Sequence, residues 1–444
     1  MGETMKRSLR DSAAARWSAL AIVSVIMFCG YYFDKATSAF KTAIVDSGWS
    51  SVDFGFFKSA YGWLNVFAFM LIIGGIILDK KGVRFTGILS ALVMVFGVAV
   101  CWVGLASGFP VRTQVWVAAV GFAFFGTGVE VAGITVSKVI VKWFKGKELA
   151  TAMGLQLAGA RMGTAVGLAV AMPLALKWGV KAVPFMGLAL LLMGTVAYLF
   201  YCRMDRRLDA SEPPAAASAE DAFKLSDIVL ILKNKGFWLI ALLCLIFYSG
   251  VFPFLDYATD LMVQKYHVSA GLAGLIPALL PFGNILLTPL FGTIYDRKGK
   301  GASIMILGAF LLVIVHAIFA VPAFSHWGVA VGAMLLLGVA FSLVPSAMWP
   351  SVPKLIPEKQ LGTAYSMIFY IQNIGLMGVP YLIGWVLDRF CRVPGADGKV
   401  AYNYTLPLLI FLSFGVVAIF VAFQLKADDR RKGYGLELPN IKRA

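Results

Sequence analysis

A chain of 444 residues in which 60% are hydrophobic and only 14% charged has too few ions to coat the two or three soluble domains its length would suggest. Apolar runs of about 20 residues, enough to cross a hydrocarbon core of ~30 Å as helix, recur along it and mark an integral membrane protein. Soluble enzyme, nucleic-acid binder and disordered scaffold are excluded, so the net charge of +16 must be explained by where the cations sit. The breaks between apolar runs predict six spans at 18–46, 51–78, 84–106, 113–140, 147–173 and 183–203. A polar stretch from Met204 to Lys235, with SEPPAAASAED at its centre, reads as a flexible linker. Six more spans follow at 236–262, 268–295, 301–321, 328–353, 360–388 and 403–426, and residues 427–444 read as a tail. The expected architecture is therefore an all-α membrane protein of twelve helices, with an N-terminal six-helix bundle over 1–203 and a C-terminal one over 236–426.

Lys and Arg set the orientation. With a cytoplasmic N-terminus, 27 of the 39 fall in the cytoplasmic tails and loops and 7 outside: Arg112, Lys177, Lys181, Lys265, Arg389, Arg392 and Lys399. Positive loops resist translocation, so both ends are expected in the cytoplasm and the excess charge is a topology signal. Cations dispersed over seven short segments do not make a nucleic-acid face. The first apolar run, interrupted by Asp34 and Lys35, is too long for a cleaved signal peptide. Cys29, Cys101, Cys202, Cys244 and Cys391 lie far apart without a C-x-x-C pair, so neither a metal site nor a disulfide framework is expected, and no cofactor is implied.

The two halves repeat. GIILDKKGVR (Gly75 to Arg84) ends the second span and GTIYDRKGK (Gly292 to Lys300) the eighth, at an offset of 217. KELATAMG (Lys147 to Gly154) and KQLGTAYS (Lys359 to Ser366) open the fifth and eleventh at an offset of 212, which also pairs Arg161 with Asn373. A duplicated six-helix unit with a G-x-x-x-D-[RK]-x-G loop in each copy resembles the major facilitator superfamily. Gly at the helix end permits close packing, and Asp can cap the neighbouring helix and meet loop cations as the halves close. Asp79, Arg84, Asp296 and Arg297 are accordingly assigned to gating.

Five cations are left within the spans, Lys35, Lys41, Lys58, Lys138 and Arg161, with Asp34, Glu130, Asp256 and Asp260 at comparable depth. An unpaired charge near the bilayer centre costs about 2.5–3.5 kcal/mol even on lenient scales, so these should face a partner or an aqueous cavity. Glu130 lies on a small-residue stripe with Gly126, Gly133 and Ser137, and Arg161 on one with Gly154, Ala158 and Ala165, beside a close-contact face of Gly159, Gly163 and Gly167. Both point inward, either to a substrate or to each other as a structural ion pair. Tyr31, Asp34, Ser38 and Lys41 form one polar stripe, and Lys58, Tyr61 and Asn65 a second facing the same cavity. Lys41 and Lys58 are read as reaching toward the outer mouth, and Asp260 as a solvated mouth residue. Tyr248, Phe252 and Asp256 share a face of the seventh span, while Asn284 with Thr288, Ser342 with Ser346 and Trp349, and Gln372 with Asn373 supply neutral polar groups. Phe122, Phe124 and Phe125 read as packing or lipid-facing rings, and His267, His316 and His326 offer no proton relay.

WFKGKELATAMGLQLAGARMGTAVG (Trp143 to Gly167) is similar to one branch of the superfamily, the lysosomal dipeptide transporters. So are YYFDKA around Asp34, GTGVEVAG around Glu130, VFPF (Val251 to Phe254), AMWPSVPKLIPEKQLGTAYS (Ala347 to Ser366) and IQNIG (Ile371 to Gly375). The resemblance implies a dipeptide carrier working by facilitated diffusion, in which the acid at Glu130 and the arginine at Arg161 contact the peptide termini. A zwitterion needs an anion for its ammonium and a guanidinium for its carboxylate. Two positions depart from the resemblance: Lys35 stands where a neutral residue is expected, and Asp256 follows VFPF where an uncharged one is. With no acidic dileucine sorting signal near the N-terminus, a bacterial inner membrane is the expected home.

The competing readings are a proton-coupled carrier titrating Glu130 or Asp34, an organic-anion carrier using Arg161 and Lys35, and a receptor or scaffold that keeps the fold without transport. The helix-1 E-x-x-E-R motif of proton-coupled peptide carriers is absent. No nucleophile, base and orienter occur together, so no enzyme is expected, and no phosphate loop signals an ATP-driven pump. The expected partners are a small-molecule substrate and the lipid bilayer; the sequence leaves an accessory subunit open.

Overall fold

The structure, a computed structural model, describes residues 9–144, 147–211, 225–357, 360–395 and 400–440. The first half runs through α1 (Ala13–Ala39), α2 (Lys41–Asp46), α3 (Ser51–Ser59), α4 (Trp63–Phe67), α5 (Met70–Ala106), α6 (Val111–Phe144), α7 (Leu149–Trp178) and α8 (Ala182–Ser211). The short α9 (Leu225–Leu232) leads to α10 (Lys235–Gln264), α11 (Ala270–Ala273), α12 (Leu275–Lys298), α13 (Gly301–Ala320), α14 (Trp327–Leu355) and α15 (Leu361–Phe390). A hairpin of β1 (Arg392–Pro394) and β2 (Val400–Tyr402) precedes α16 (Thr405–Lys432). These elements make twelve crossings in two bundles. In one, α5 packs on α6, α1 on α7 and α8; in the other, α12 packs on α14 and α13 on α14 and α16.

Two crossings expected to be continuous are broken. The first ends at Ala39 and resumes at Lys41. The second is cut after α4 by Phe69, held in the left-handed region at φ 53°, where its ring stacks on Tyr370 of α15. The turn back into the third crossing is made at Gly82, with φ 75°, inside α5; a side chain there would be strained. Elsewhere the caps follow the sequence: the Ser12 hydroxyl accepts from the Ala15 amide, and Ser50 and Asp53 form a reciprocal capping box.

Around the expected linker, α8 continues to Ser211 and α9 occupies part of the rest; the Pro- and Ala-rich segment 212–224 lies outside the described residues, as do Lys359 and Lys399. The expected tail is not free. After Gly433 the chain folds back so that Lys300 and Gly301 donate backbone hydrogen bonds to Glu437 and Leu436, and Leu436 is fully buried.

The bundles meet mainly through α3 on α15, α7 on α12 and α1 on α10. Their cross-bundle polar bonds concentrate at the end away from the termini. There Lys41 Nζ donates to Asp260 Oδ2 at 2.6 Å, the Thr42 hydroxyl to Asp260 Oδ1 at 2.8 Å, and the Val52 amide to Asp388 at 2.6 Å. Tyr404 adds a short hydrogen bond to Asp260. Backbones approach so closely here that a Cβ on Gly55 would stand 2.6 Å from the Pro380 carbonyl oxygen. Lys41 and Asp260, read from sequence as mouth residues, are 0% and 2% exposed. The expectation fails because each lies within reach of the other across the seam, and the rings of Tyr257, Tyr402 and Tyr404 surround the ammonium.

Removing one partner of such a pair leaves the other charge buried and alone. Lys41→Met is therefore expected to destabilise the purified protein by about 3–5 kcal/mol, and Lys41→Met with Asp260→Leu to recover most of the loss, read as thermal midpoints of the three chains.

Candidate functional site

Between the bundles lie two cavities. The first, of about 510 Å³, is lined by Tyr31, Asp34 and Lys35 of α1, Lys58 and Tyr61 of the broken second crossing, and Glu130 of α6; Phe252, Asp256, Gln372 and Leu376 face them from the other bundle. The local sequence explains why these side chains point inward. Gly163 and Gly167 of α7 lie against the Phe28 and Tyr32 backbone of α1 with no room for a side chain, which presses α1 onto α7 and leaves its polar stripe facing the seam.

Four charges in this cavity satisfy one another. Lys35 Nζ lies 2.9 Å from Asp256 Oδ1 and 3.3 Å from Asp34 Oδ2. Lys58 Nζ lies 3.1 Å from Asp34 Oδ1 and 3.6 Å from Asp256 Oδ1. The Ser38 hydroxyl donates to Asp256 at 2.6 Å, and Lys58 also donates to the Asp34 carbonyl and to Thr37 Oγ1. Two carboxylates and two ammoniums thus form a neutral quartet, three members from the first bundle and Asp256 from the second. Phe122, expected as a packing or lipid-facing ring, is buried with its centroid 4.5 Å from Lys58 Nζ. Lys58 reaches inward to these acids and not to an outer mouth, because the ring and the carboxylates supply what water would have.

Glu130 and Arg161 stand outside the quartet. Glu130 accepts a hydrogen bond from the Tyr61 hydroxyl at 3.0 Å and, among the described residues, has no cation within 4.0 Å. Arg161 likewise has no carboxylate within 4.0 Å; its Cζ lies 5.7 Å from the Phe252 ring centroid and 5.3 Å from that of Phe341. The alternative of a direct Glu130–Arg161 ion pair is therefore not realised. Arg161 lines the second cavity, of about 740 Å³, with Gly154 and Ala158 of its own stripe and with Tyr248, Asn284, Thr288 and Trp349 from the second bundle. Phe252 stands between the two, its centroid 5.6 Å from Lys35 Nζ.

The remaining expected polar groups are mostly internally bonded. Trp349 Nε1 donates to the Tyr248 hydroxyl at 3.1 Å and Ser342 to Asn284 Oδ1 at 2.8 Å. Asn65 and Asn373 meet across the seam at 3.4 Å, and the Cys244 thiol donates to Gln372. Ser38, Lys41 and Asn65 extend the polar stripes but bond across the seam and do not line either cavity. The four residues assigned to gating bond within their own bundle or are exposed. Asp79 pairs with Lys138 at 2.6 Å, which places Lys138 at an exposed helix end and not inside the bilayer. Arg84 pairs with Asp209 at 2.7 Å and Asp205 at 3.3 Å, Asp296 accepts from Asn440 at 2.7 Å, and Arg297 is exposed. Sequence reasoning missed Phe341 and Tyr404, ring partners of Arg161 and Lys41, because nothing in a local pattern separates them from core aromatics.

Comparison with known proteins identifies the family. The chain is 28% identical over 385 residues to the lysosomal dipeptide transporter MFSD1 of Danio rerio, covering 83% of this chain and 80% of that one. It is 28% identical over 388 residues to MFSD1 of Homo sapiens, covering 84% and 80%. A solved bacterial homologue of the human lysosomal transporter Spinster, inward-facing and occupied, shares the fold at 15% identity with a TM-score of 0.71, over 94% of this chain and 98% of that one. The Major Facilitator Superfamily profile matches residues 20–380, and the chain belongs to that superfamily of membrane transporters.

Proposed function

We propose that the protein carries dipeptides by alternating access and facilitated diffusion, with Glu130 holding the peptide ammonium and Arg161 its carboxylate. The observation that carries this reading is the charge left over in the interior. Asp34, Asp256, Lys35 and Lys58 cancel, as do Lys41 and Asp260, leaving one anion and one cation in adjoining cavities. A dipeptide presents the complementary pair. The loaded interior is then neutral without a co-transported ion, which supports uniport. The relatives named as dipeptide transporters support the substrate class. A dicarboxylate carrier would need a second free cation, and Lys35 is already engaged by two carboxylates.

Cations concentrated in the loops and tails on the side that carries the termini orient both ends toward the cytoplasm. In that orientation the Lys41–Asp260 seam closes the outer side, and the conformation is inward-facing. The gating role of Asp79, Arg84, Asp296 and Arg297 belongs to the opposite state, when the termini-bearing ends approach one another.

Glu130→Gln and Arg161→Ala are each expected to weaken dipeptide binding by about 10–100-fold, the loss of one charge-assisted hydrogen bond, measured by calorimetry or thermal shift on purified protein. Stabilisation by dicarboxylates alone, lost only in Arg161→Ala, would overturn the dipeptide reading in favour of an organic anion.

In proteoliposomes, dipeptide flux down its own gradient is expected to proceed at equal external and internal pH. A proton gradient is expected to produce no accumulation beyond equilibrium; accumulation would replace uniport by proton coupling. Lys35→Gln or Asp256→Asn alone is expected to lower the thermal midpoint, whereas the double variant regains stability and still binds dipeptide. A double variant that is folded but blind to dipeptide would move the quartet into the binding site.

A further inference from the structure

Resting on the dipeptide reading, we propose that the carrier reads the two residues of its substrate separately, the second through an apolar pocket beside Arg161 that selects an uncharged aliphatic or aromatic side chain there. The pocket is the 740 Å³ cavity between α7, α12 and α14, and apart from Arg161 its walls carry no charge: Leu157, Ile285, Pro289, Phe341, Pro345 and Trp349 supply the apolar surface. Two of its polar acceptors are turned to other partners, since the Tyr248 hydroxyl takes the Trp349 N–H and Asn284 Oδ1 takes the Ser342 hydroxyl.

One donor remains. Asn284 is 4% exposed and its Nδ2 has no partner within the protein. A buried amide N–H without an acceptor is costly, and the acceptor that suits a site already holding a guanidinium is a carboxylate. A substrate carboxylate on Arg161 and Asn284 would be held by one donor from each bundle. The residue that carries this carboxylate is the second of the dipeptide, and its side chain branches from the adjacent carbon, so it enters the apolar cavity. A lysine or arginine there would bring a second cation beside Arg161 with no acid in the walls. The first residue lies on the other side of Phe252, with its ammonium toward Glu130, in the cavity that holds the neutral quartet. That wall has no comparable apolar floor and, once the ammonium meets Glu130, no net charge with which to reject a polar or basic side chain.

Sequence isomers separate the two positions while keeping composition fixed. Calorimetry on the purified full-length protein should compare Gly-Leu with Leu-Gly, Gly-Phe with Phe-Gly, and Gly-Lys with Lys-Gly. Gly-Leu and Gly-Phe are expected to bind at least about tenfold tighter than their isomers, and Gly-Lys to bind more weakly than Lys-Gly. Ile285→Asp, which places an acid in the pocket without touching Arg161's own helix, is expected to raise affinity for Gly-Lys relative to Gly-Leu, a gain that misfolding would not produce. Equal affinities within each pair, or a preference for the apolar residue in first position, would overturn the pocket assignment while leaving the dipeptide carrier standing. Binding of none of the six would overturn both.

Discussion

A charge moved from water into the bilayer interior needs a partner, and in this protein the partners for Lys35 and Lys58 come from both bundles. Asp34 alone cannot neutralise two ammoniums; Asp256, carried on α10, completes the set at 2.9 Å from Lys35 and 3.6 Å from Lys58. This requirement fixes the depth at which α1 and the second crossing face α10. The Lys41–Asp260 pair repeats it at the start of α2, six residues beyond Lys35, with Tyr404 and Thr42 taking up the remaining carboxylate valence. The interior is therefore organised by charge before it is organised by substrate. Glu130 and Arg161 are left without an oppositely charged partner among the described residues.

Much of this was legible in the sequence, and the reasons are specific. The superfamily was legible because duplication writes the same loop twice, around Asp79 and around Asp296, and because an ion inside an apolar run has few explanations. Glu130 and Arg161 were singled out by that logic. The quartet was not. Lys35 and Asp256 each departed from the family pattern and each looked anomalous singly, yet they are within 2.9 Å of each other in space and 221 positions apart in sequence. Two departures that neutralise each other read as two anomalies until the fold brings them together.

The errors share a cause. Lys41, Lys58 and Asp260 were given to the mouth because a long side chain near a helix end usually finds water. Here the seam at the end away from the termini is closed by backbone contact at Gly55 and by the hairpin residue Tyr402, whose ring lies 4.8 Å from Lys41 Nζ, so the seam itself supplies the partners. The break at Phe69 was equally hidden. No Gly or Pro marks it, and it depends on a ring contact with Tyr370, 301 positions away. Periodicity reports what a helix face prefers; it does not report which face another bundle will present.

Alternating access then has a definite electrostatic consequence. If the Lys41–Asp260 seam parts with the bundles moving as units, Asp256 leaves Lys35 and Lys58 as Asp260 leaves Lys41, so these two sets leave two uncompensated cations on the first bundle and two uncompensated anions on the second. Neither is stable in a dry interior, but a seam that opens to the outside admits water, and water lowers the cost of both. Opening and hydration are in this way the same event. On the proposed dipeptide reading the substrate's ions would act elsewhere, on Glu130 and Arg161, both carried by the first bundle. Closure around a dipeptide dries an interior already neutral, whereas closure around a single carboxylate would strand Glu130. On that reading, selection of a zwitterion over a lone carboxylate would be enforced when the site closes and not when the substrate first arrives.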